Sequence, residues 1–315
     1  MRRRTVLGGA AALAALSHTR HQGWAQPRRI RKVGVVTTER HLYEAVTDGL
    51  REMGWNPEQD VVVVRGGMTG SLEEIDEILK EEPEVLVLGG AVRVARAAER
   101  APKLPLVAID LESDPERSGF VQTLSRPGGN ITGIWLDMPE MAAKLVELLR
   151  EVIPALSSCT ILSDERFGRP QIEATERAAA SAGLSVQRLI LNDTRRAEAL
   201  VESTKMGALI VLTSPSIFVQ RAQIAAAAEA RRIPSISIFP DYARAGGLMG
   251  YGPSLTGMFR RSARYVDAVL RGRSPAELPV ERPTRFEFVL NERTAARLGM
   301  KFPLRLLAGA DEVIE

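Results

Sequence analysis

One cysteine, Cys159, is all that the 315 residues contain. No intrachain disulfide can form, so the fold must be stable through its core alone. Cys159 lies in the apolar run "SSCTILS", where a small buried side chain is a commoner role than nucleophile or metal ligand. Histidine is nearly as scarce. His18, His21 and His41 all stand near the N-terminus, which leaves little material for a zinc site or a histidine-based triad. Aromatic residues make up 5%, too few for the stacking platforms of a single-strand nucleic-acid binder. The formal net charge is only +3, and much of it sits in Arg2, Arg3, Arg4, Arg28, Arg29, Arg31 and Lys32. No basic stripe remains, and nucleic acid is not an expected partner.

What is present reads as an ordinary globular chain, 45% apolar and 26% charged, and its length favours two α/β domains over one. The first residues, "MRRRTVLGGAAALAALSHTRHQGWAQ", run from an arginine cluster through an apolar stretch to a polar segment ending in small residues. That order predicts a secretory signal peptide over residues 1–25, cleaved near Ala25, with Arg3-Arg4 suiting the twin-arginine route. A disordered basic arm is the alternative. The apolar stretch is too short for a membrane-spanning helix. The expected location is the periplasm.

Past Gln26, short β-branched runs alternate with amphipathic stretches. "KVGVVTT", "DVVVVRG", "EVLVLGG" and "LPLVAIDL" read as buried strands. Leu42, Val46, Leu50 and Met53 recur at helical spacing between the first two, and Ser71 to Glu74 forms a capping box for a helix with Leu72, Ile75 and Leu79 inward. Strands apolar throughout and separated by helices predict a parallel sheet covered on both faces. The pattern then restarts, with "CTILS", "LSVQRLIL", "GALIVLTS" and "PSISIF" as strands and a single helix over 217–232. Two series of similar size predict two lobes. "FEFVLN" reads as the last strand, followed by a short helix from Glu292.

In open α/β sheets, ligands bind at the loops leaving the strand C-terminal ends. In the first lobe those loops carry Thr37, Thr38 and Glu39, then Gly89, Gly90 and Ala91, then Asp110, Glu112, Ser113 and Asp114. In the second they carry Ser163, Asp164, Arg166 and Phe167, then Ser214, then Phe239, Asp241 and Tyr242. Hydroxyls, carboxylates and glycine amides of this kind suit a small polar or zwitterionic solute. Gly89-Gly90 lacks the spacing of a dinucleotide loop, and no phosphate-loop signature occurs anywhere. It reads as a tight turn with free amides at a helix start. Asp110, Glu112 and Asp114 could bind a cation or run acid/base chemistry, but capping is the commoner role of such a cluster. Ser214 stands in "TSPS" rather than in a nucleophile elbow. No catalytic residue, metal or cofactor is expected, and an exported α/β enzyme acting on a small carboxylated metabolite is the alternative.

"LSRPGGNITG", Leu124 to Gly133, precedes a strand rather than a helix, so it offers a pyrophosphate no row of helix-start amides. Pro127 fixes a turn, and Gly128, Gly129 and Asn130 tolerate positive φ. The loop is expected to lead the chain into the crossing between lobes.

"RRIRKVGVV", "LSRPGGNITGIWLDMPEMAAKLVELLREVIP", the long block from "AGGLMGYG" to "FEFVLN" and "TAARLGMKFP" together resemble the ABC-transporter substrate-binding family that includes tryptophan-type binding proteins. The resemblance runs from about Arg29 to the C-terminus. It implies the type I periplasmic-binding-protein fold, two Rossmann-like lobes with parallel sheets joined by a multi-strand hinge. It also implies capture of a small-molecule ligand, by a monomer, for an ABC permease and its ATPase subunits. On that reading one lobe comprises 29–135 plus about 252–285, and the other 136–251 plus the tail 286–315. The loops carrying the residues named above match the family's ligand loops. The acidic "DLESDP" and the Thr38-Glu39 pair depart from tryptophan-type members.

Overall fold

The computed structural model describes residues 29–57, 59–66, 71–110, 113–136, 138–164, 169–191, 197–205 and 207–315. The expected signal peptide lies outside the described residues. Five strands form the first sheet: β1 (Arg31–Val36), β2 (Val61–Gly66), β3 (Val85–Gly89), β4 (Leu106–Asp110) and β5 (Ile131–Trp135), in the order β2-β1-β3-β4-β5. Every pairing is parallel. β4 and β5 are buried along their whole length, as strands covered on both faces must be. Helices α1 (Arg40–Glu52), α2 (Glu73–Lys80) and α3 (Ala91–Arg100) make the crossovers. In α2 the inward residues are Ile75 and Ile78, and Leu72 is exposed. The Ser71 hydroxyl accepts from the Glu73 amide at 3.2 Å, the helix starts one residue later than the capping box places it, and Leu79 packs partly buried against the core as expected.

The second lobe follows with α4 (Met138–Val152), β6 (Ser158–Asp164), α5 (Arg169–Ser181), β7 (Ser185–Leu191), α6 (Ala197–Glu202) and β8 (Leu209–Val211). After it come α7 (Pro215–Val219), α8 (Arg221–Ala230), β9 (Ser235–Ser237), α9 (Pro240–Arg244) and β10 (Met249–Pro253). The helix expected over 217–232 is thus two, broken at Gln220. The Ser214 hydroxyl caps the first, with Pro215 at its start, and this fixes a short helix that β8 leads into directly. α10 (Leu255–Leu270) then returns to the first lobe, where it packs on α1, β3, β4 and β5. The chain crosses back to form β11 (Phe286–Asn291), α11 (Glu292–Arg297), α12 (Leu304–Gly309) and β12 (Glu312–Ile314). The strand "FEFVLN" is therefore not the last. β12 is too short to show a period of its own.

The second sheet runs β12-β11-β10-β9-β8-β6-β7. It is parallel except between β10 and β11, because β11 enters from the opposite lobe and travels the other way. Among the described residues, the chain passes between the two sheets after β5, at Ser254 and around 281–285. The third lies beside β5, where the Trp135 amide donates to the Glu281 carbonyl at 3.0 Å and the Glu281 amide to that of Gly133 at 2.9 Å. Arg261 of α10 pairs with Glu281 across this region. Among the described residues no helix is long and apolar enough to cross a membrane.

The loop before β5 behaves as its composition suggests at one position. Gly128 has φ +75°, a left-handed conformation that costs an L-residue, and its amide donates to the Ala276 carbonyl at 3.2 Å. Gly129 and Asn130 do not adopt positive φ. Asn130 instead donates from its side chain to the Leu104 carbonyl at 2.7 Å.

Candidate functional site

The C-terminal ends of β1, β3 and β4 meet those of β6, β8 and β9 across the gap between the lobes. From the first lobe, Thr37 and Thr38 follow β1. Thr37 is buried, and its hydroxyl accepts from the Glu39 amide at 3.3 Å. Glu39 leads into α1 without capping it. Its carboxylate instead reaches across the gap to Arg221 of α8, Oε1 to Nη1 at 3.1 Å, with about a quarter of each side chain exposed. The same guanidinium lies over the Phe218 ring at 4.3 Å and donates to the Phe218 carbonyl.

Gly89 and Gly90 close β3. A Cβ at Gly89 would sit 3.2 Å from the ring of Phe259, and Gly90 has φ +90°. The pair is therefore glycine for contact and for conformation. The Gly90 amide donates to the Ile109 carbonyl at 2.9 Å, so it is not the free ligand donor that the turn suggests. Ala91 begins α3, and Arg93 stands in the first turn of that helix, only 5% exposed. Its Nη1 donates to the Gly89 carbonyl at 3.3 Å.

From the second lobe, Ser214 is fully engaged. It accepts from the Ile217 amide and donates to Asp164, both at 3.1 Å. Phe218 and Phe239 meet edge to face with centroids 4.8 Å apart, a favourable aromatic geometry. Between the lobes lies a narrow, partly open cavity of about 50 Å³. Thr37, Thr38, Leu42, Gly89, Gly90 and Arg93 line it from one side, and Ser214, Pro215, Phe218 and Phe239 from the other. Thr213, Leu255, Phe259 and Ile109 complete the wall.

The sequence-derived residues divide accordingly. Thr37, Thr38, Gly89, Gly90, Ser214 and Phe239 converge on the cavity. Glu39 spans its rim. Asp110 is fully buried and accepts from Trp135 Nε1 at 3.0 Å and from the Ser113 hydroxyl, which ties the end of β4 to the end of β5. Asp164 is held to Ser214, and the buried Ser163 hydroxyl has no partner among the described residues. Asp241 sits 3.5 Å from Arg244 on its own helix. Tyr242 turns into the core of the second lobe, where its hydroxyl donates to Ser235 at 2.8 Å and burial pushes its pKa up. Glu112, Arg166 and Phe167 lie outside the described residues. Arg93, Phe218 and Phe259 line the cavity without standing in the sequence-derived set. For Arg93 a signal existed, because a cation in a helix's first turn opposes the helix dipole. Among the described residues, no group of three or more metal-binding side chains forms.

The description "ABC transporter substrate binding protein" is that of the family whose model matches residues 38–314. The chain belongs to that family. A tyrosine-binding protein of Clostridioides difficile is 23% identical over 213 residues, 66% of this chain. The match spans 61% of the length of that relative. Two solved structures share the fold over nearly the whole chain. A conserved domain protein of Vibrio cholerae is 21% identical with a TM-score of 0.84, covering 90% of this chain and all of its own. An ABC domain of Streptococcus pneumoniae in complex with L-Trp is 22% identical with a TM-score of 0.82, over 91% of this chain and all of its own. The fold of this family member is thus the type I periplasmic-binding-protein fold, with leucine-binding LivK of Thermotoga maritima a more distant likeness at a TM-score of 0.58.

Proposed function

We propose that the protein is the solute-capturing subunit of an ABC importer. It works as a monomer in the periplasm and takes up a small solute with a carboxylate and an aromatic or apolar body. The carrying observation is the interlobe cavity, in which the Arg93 guanidinium faces walls built from Phe218, Phe239 and Phe259. Sites of this kind combine a mostly apolar wall with a few polar groups that fix orientation. The ligands named for two relatives, tyrosine and L-Trp, are aromatic carboxylates and support the same class. The closing bodies are 29–135 with about 252–285 and 136–251 with 286–315. A solute touching both lobes only when they are closed shifts the population toward that state, and the permease and its ATPase subunits receive the closed form.

The test is a melting-temperature screen of the purified protein against amino acids, dipeptides and organic acids. At a hundred times Kd a ligand adds about 2.7 kcal/mol, or roughly 5–10 °C for a chain of this size. A shift with an aromatic carboxylate and no product supports the proposal. No shift across that class, or product formation in the same mixtures, overturns it.

A further inference from the structure

One wall of the cavity is held from behind by a side chain that does not line it. We infer that Gln171 is a positioning residue for solute capture: its carboxamide fixes Thr213, and with it the turn that presents Ser214, Pro215 and Phe218 to the cavity. The inference rests on the cleft reading proposed above. β8 ends at Val211. Among the described residues, its main-chain pairing with β6 runs out where the Leu212 amide donates to the Leu162 carbonyl at 3.0 Å. Thr213 comes next, 2% exposed and lining the cavity, and its amide and carbonyl have no main-chain partner among the described residues. Gln171 of α5, itself fully buried, serves both. Its Oε1 accepts from the Thr213 amide at 3.1 Å, and its Nε2 donates to the Thr213 carbonyl at 3.0 Å. A carboxamide carries the same donor and acceptor as a peptide group, so Gln171 does for Thr213 what a neighbouring strand does for β8.

The following residue is tied to a different element. The Ser214 hydroxyl donates to Asp164 at the end of β6 and caps α7, which begins at Pro215 and carries Phe218. The turn is therefore pinned at two adjacent positions, from α5 and from β6. Gln171 stands on the lobe's framework rather than on the turn itself. Its carbonyl accepts from the Thr175 hydroxyl at 2.8 Å, and α5 packs on α4, β6 and β7. Removing the carboxamide leaves a buried amide and a buried carbonyl without partners at once. That is costly, and the segment relieves it only by moving until Thr213 meets water or another polar group, which displaces the wall.

Gln171→Met keeps the length of the side chain and deletes both hydrogen bonds. Calorimetric titration of the full chain with L-tyrosine and L-tryptophan should show Kd raised roughly tenfold. Hydrogen exchange of the unliganded chain should quicken over 212–219 and stay unchanged over β1 and β3. Gln171→Glu is the second variant and serves if the methionine variant fails to fold. A protonated carboxyl accepts and donates as a carboxamide does, whereas a carboxylate only accepts and turns its charge on the Thr213 carbonyl. Kd of Gln171→Glu should thus return toward the native value as pH falls from about 8 to about 5, while the ratio between Gln171→Met and the native chain holds. Unchanged Kd in a folded Gln171→Met chain overturns the inference whatever its melting temperature. So does a Gln171→Glu chain that binds as weakly as Gln171→Met in acid. If the native chain binds no aromatic carboxylate, the proposed function fails on its own account; quickened exchange confined to 212–219 then still supports the anchoring, and exchange quickened through both lobes refutes it.

Discussion

Replacing Glu39 by glutamine keeps the side chain's size and deletes the charge that reaches Arg221 across the cleft. The unscreened attraction is large: at 3.1 Å and an effective dielectric constant of 20 it is roughly 5 kcal/mol. Desolvation and the ordering of two side chains remove most of that, and a pair with about a quarter of each side chain exposed retains about 1 kcal/mol. Arg221's contacts with Phe218 lie wholly within the second lobe, so they persist when the lobes part. The substitution therefore acts on the interlobe contact and, within the first lobe, on the 3.8 Å approach of Glu39 to His41. A change of about 1 kcal/mol moves the open–closed ratio about fivefold, and apparent affinity follows the closed fraction up to that limit. Small-angle scattering of the unliganded protein should show expansion for Glu39→Gln. Titration with a bound aromatic carboxylate should show a Kd raised by up to about fivefold. Arg221→Met should behave alike, and the double variant should lose little more than either single one. Additive losses in that cycle, or an unchanged scattering curve, would refute the latch.

Three further outcomes follow from the packing. Gly128→Val should cost about 1–3 kcal/mol in urea unfolding, because φ is +75° and a Cβ would run into the Gln122 carboxamide. Gly129→Val, with nothing within 4 Å, should stay within about 0.5 kcal/mol. Burial raises the Glu287 carboxyl, but the hydrogen bonds from Arg244 and Ser254 and the nearby Arg244 and Arg285 charges together outweigh it and hold the pKa below the usual range. The stability it adds is thus complete above the ordinary glutamate value of about 4.3 and fades as pH falls through the folded-state value. Melting curves of the native chain and Glu287→Gln should differ at pH 7 and converge in acid; a gap that persists at low pH would point to packing rather than charge. Burial pushes the Cys159 thiol up to about 11, so it should resist alkylation at pH 8 until denaturant is added. Rapid reaction of the native chain would contradict its position in the core.

The strands of both sheets were legible because burial on two faces demands β-branched runs with no polar interruption, as in "EVLVLGG". The order of lobes followed from the restart of that pattern after β5. The break at Gln220 was not visible, since Ile217 to Arg232 contains no proline or glycine to mark it. The loops that converge were identifiable from strand ends alone. Which atoms within them remain available was not. Gly90's amide is consumed by Ile109 and Tyr242's ring by the core, and both facts depend on neighbours distant in sequence. Arg93 carried the opposite lesson. It is one of three arginines on α3, and the cavity it lines is completed by residues far from it in sequence, Ser214, Pro215, Phe218 and Phe239.

The return of α10 to the first lobe bears on how the chain is made. Synthesis delivers the five strands of the first sheet within 135 residues, yet the helix that covers α1 and the inner face of β3, β4 and β5 ends only at Leu270. Until it emerges, Leu42, Val46, Ile109 and their neighbours have an incomplete partner, and the usual rule that the N-terminal domain completes itself first cannot operate. The two halves must mature together. A chain stopped anywhere between the two sheets presents an apolar surface for a chaperone rather than a finished lobe.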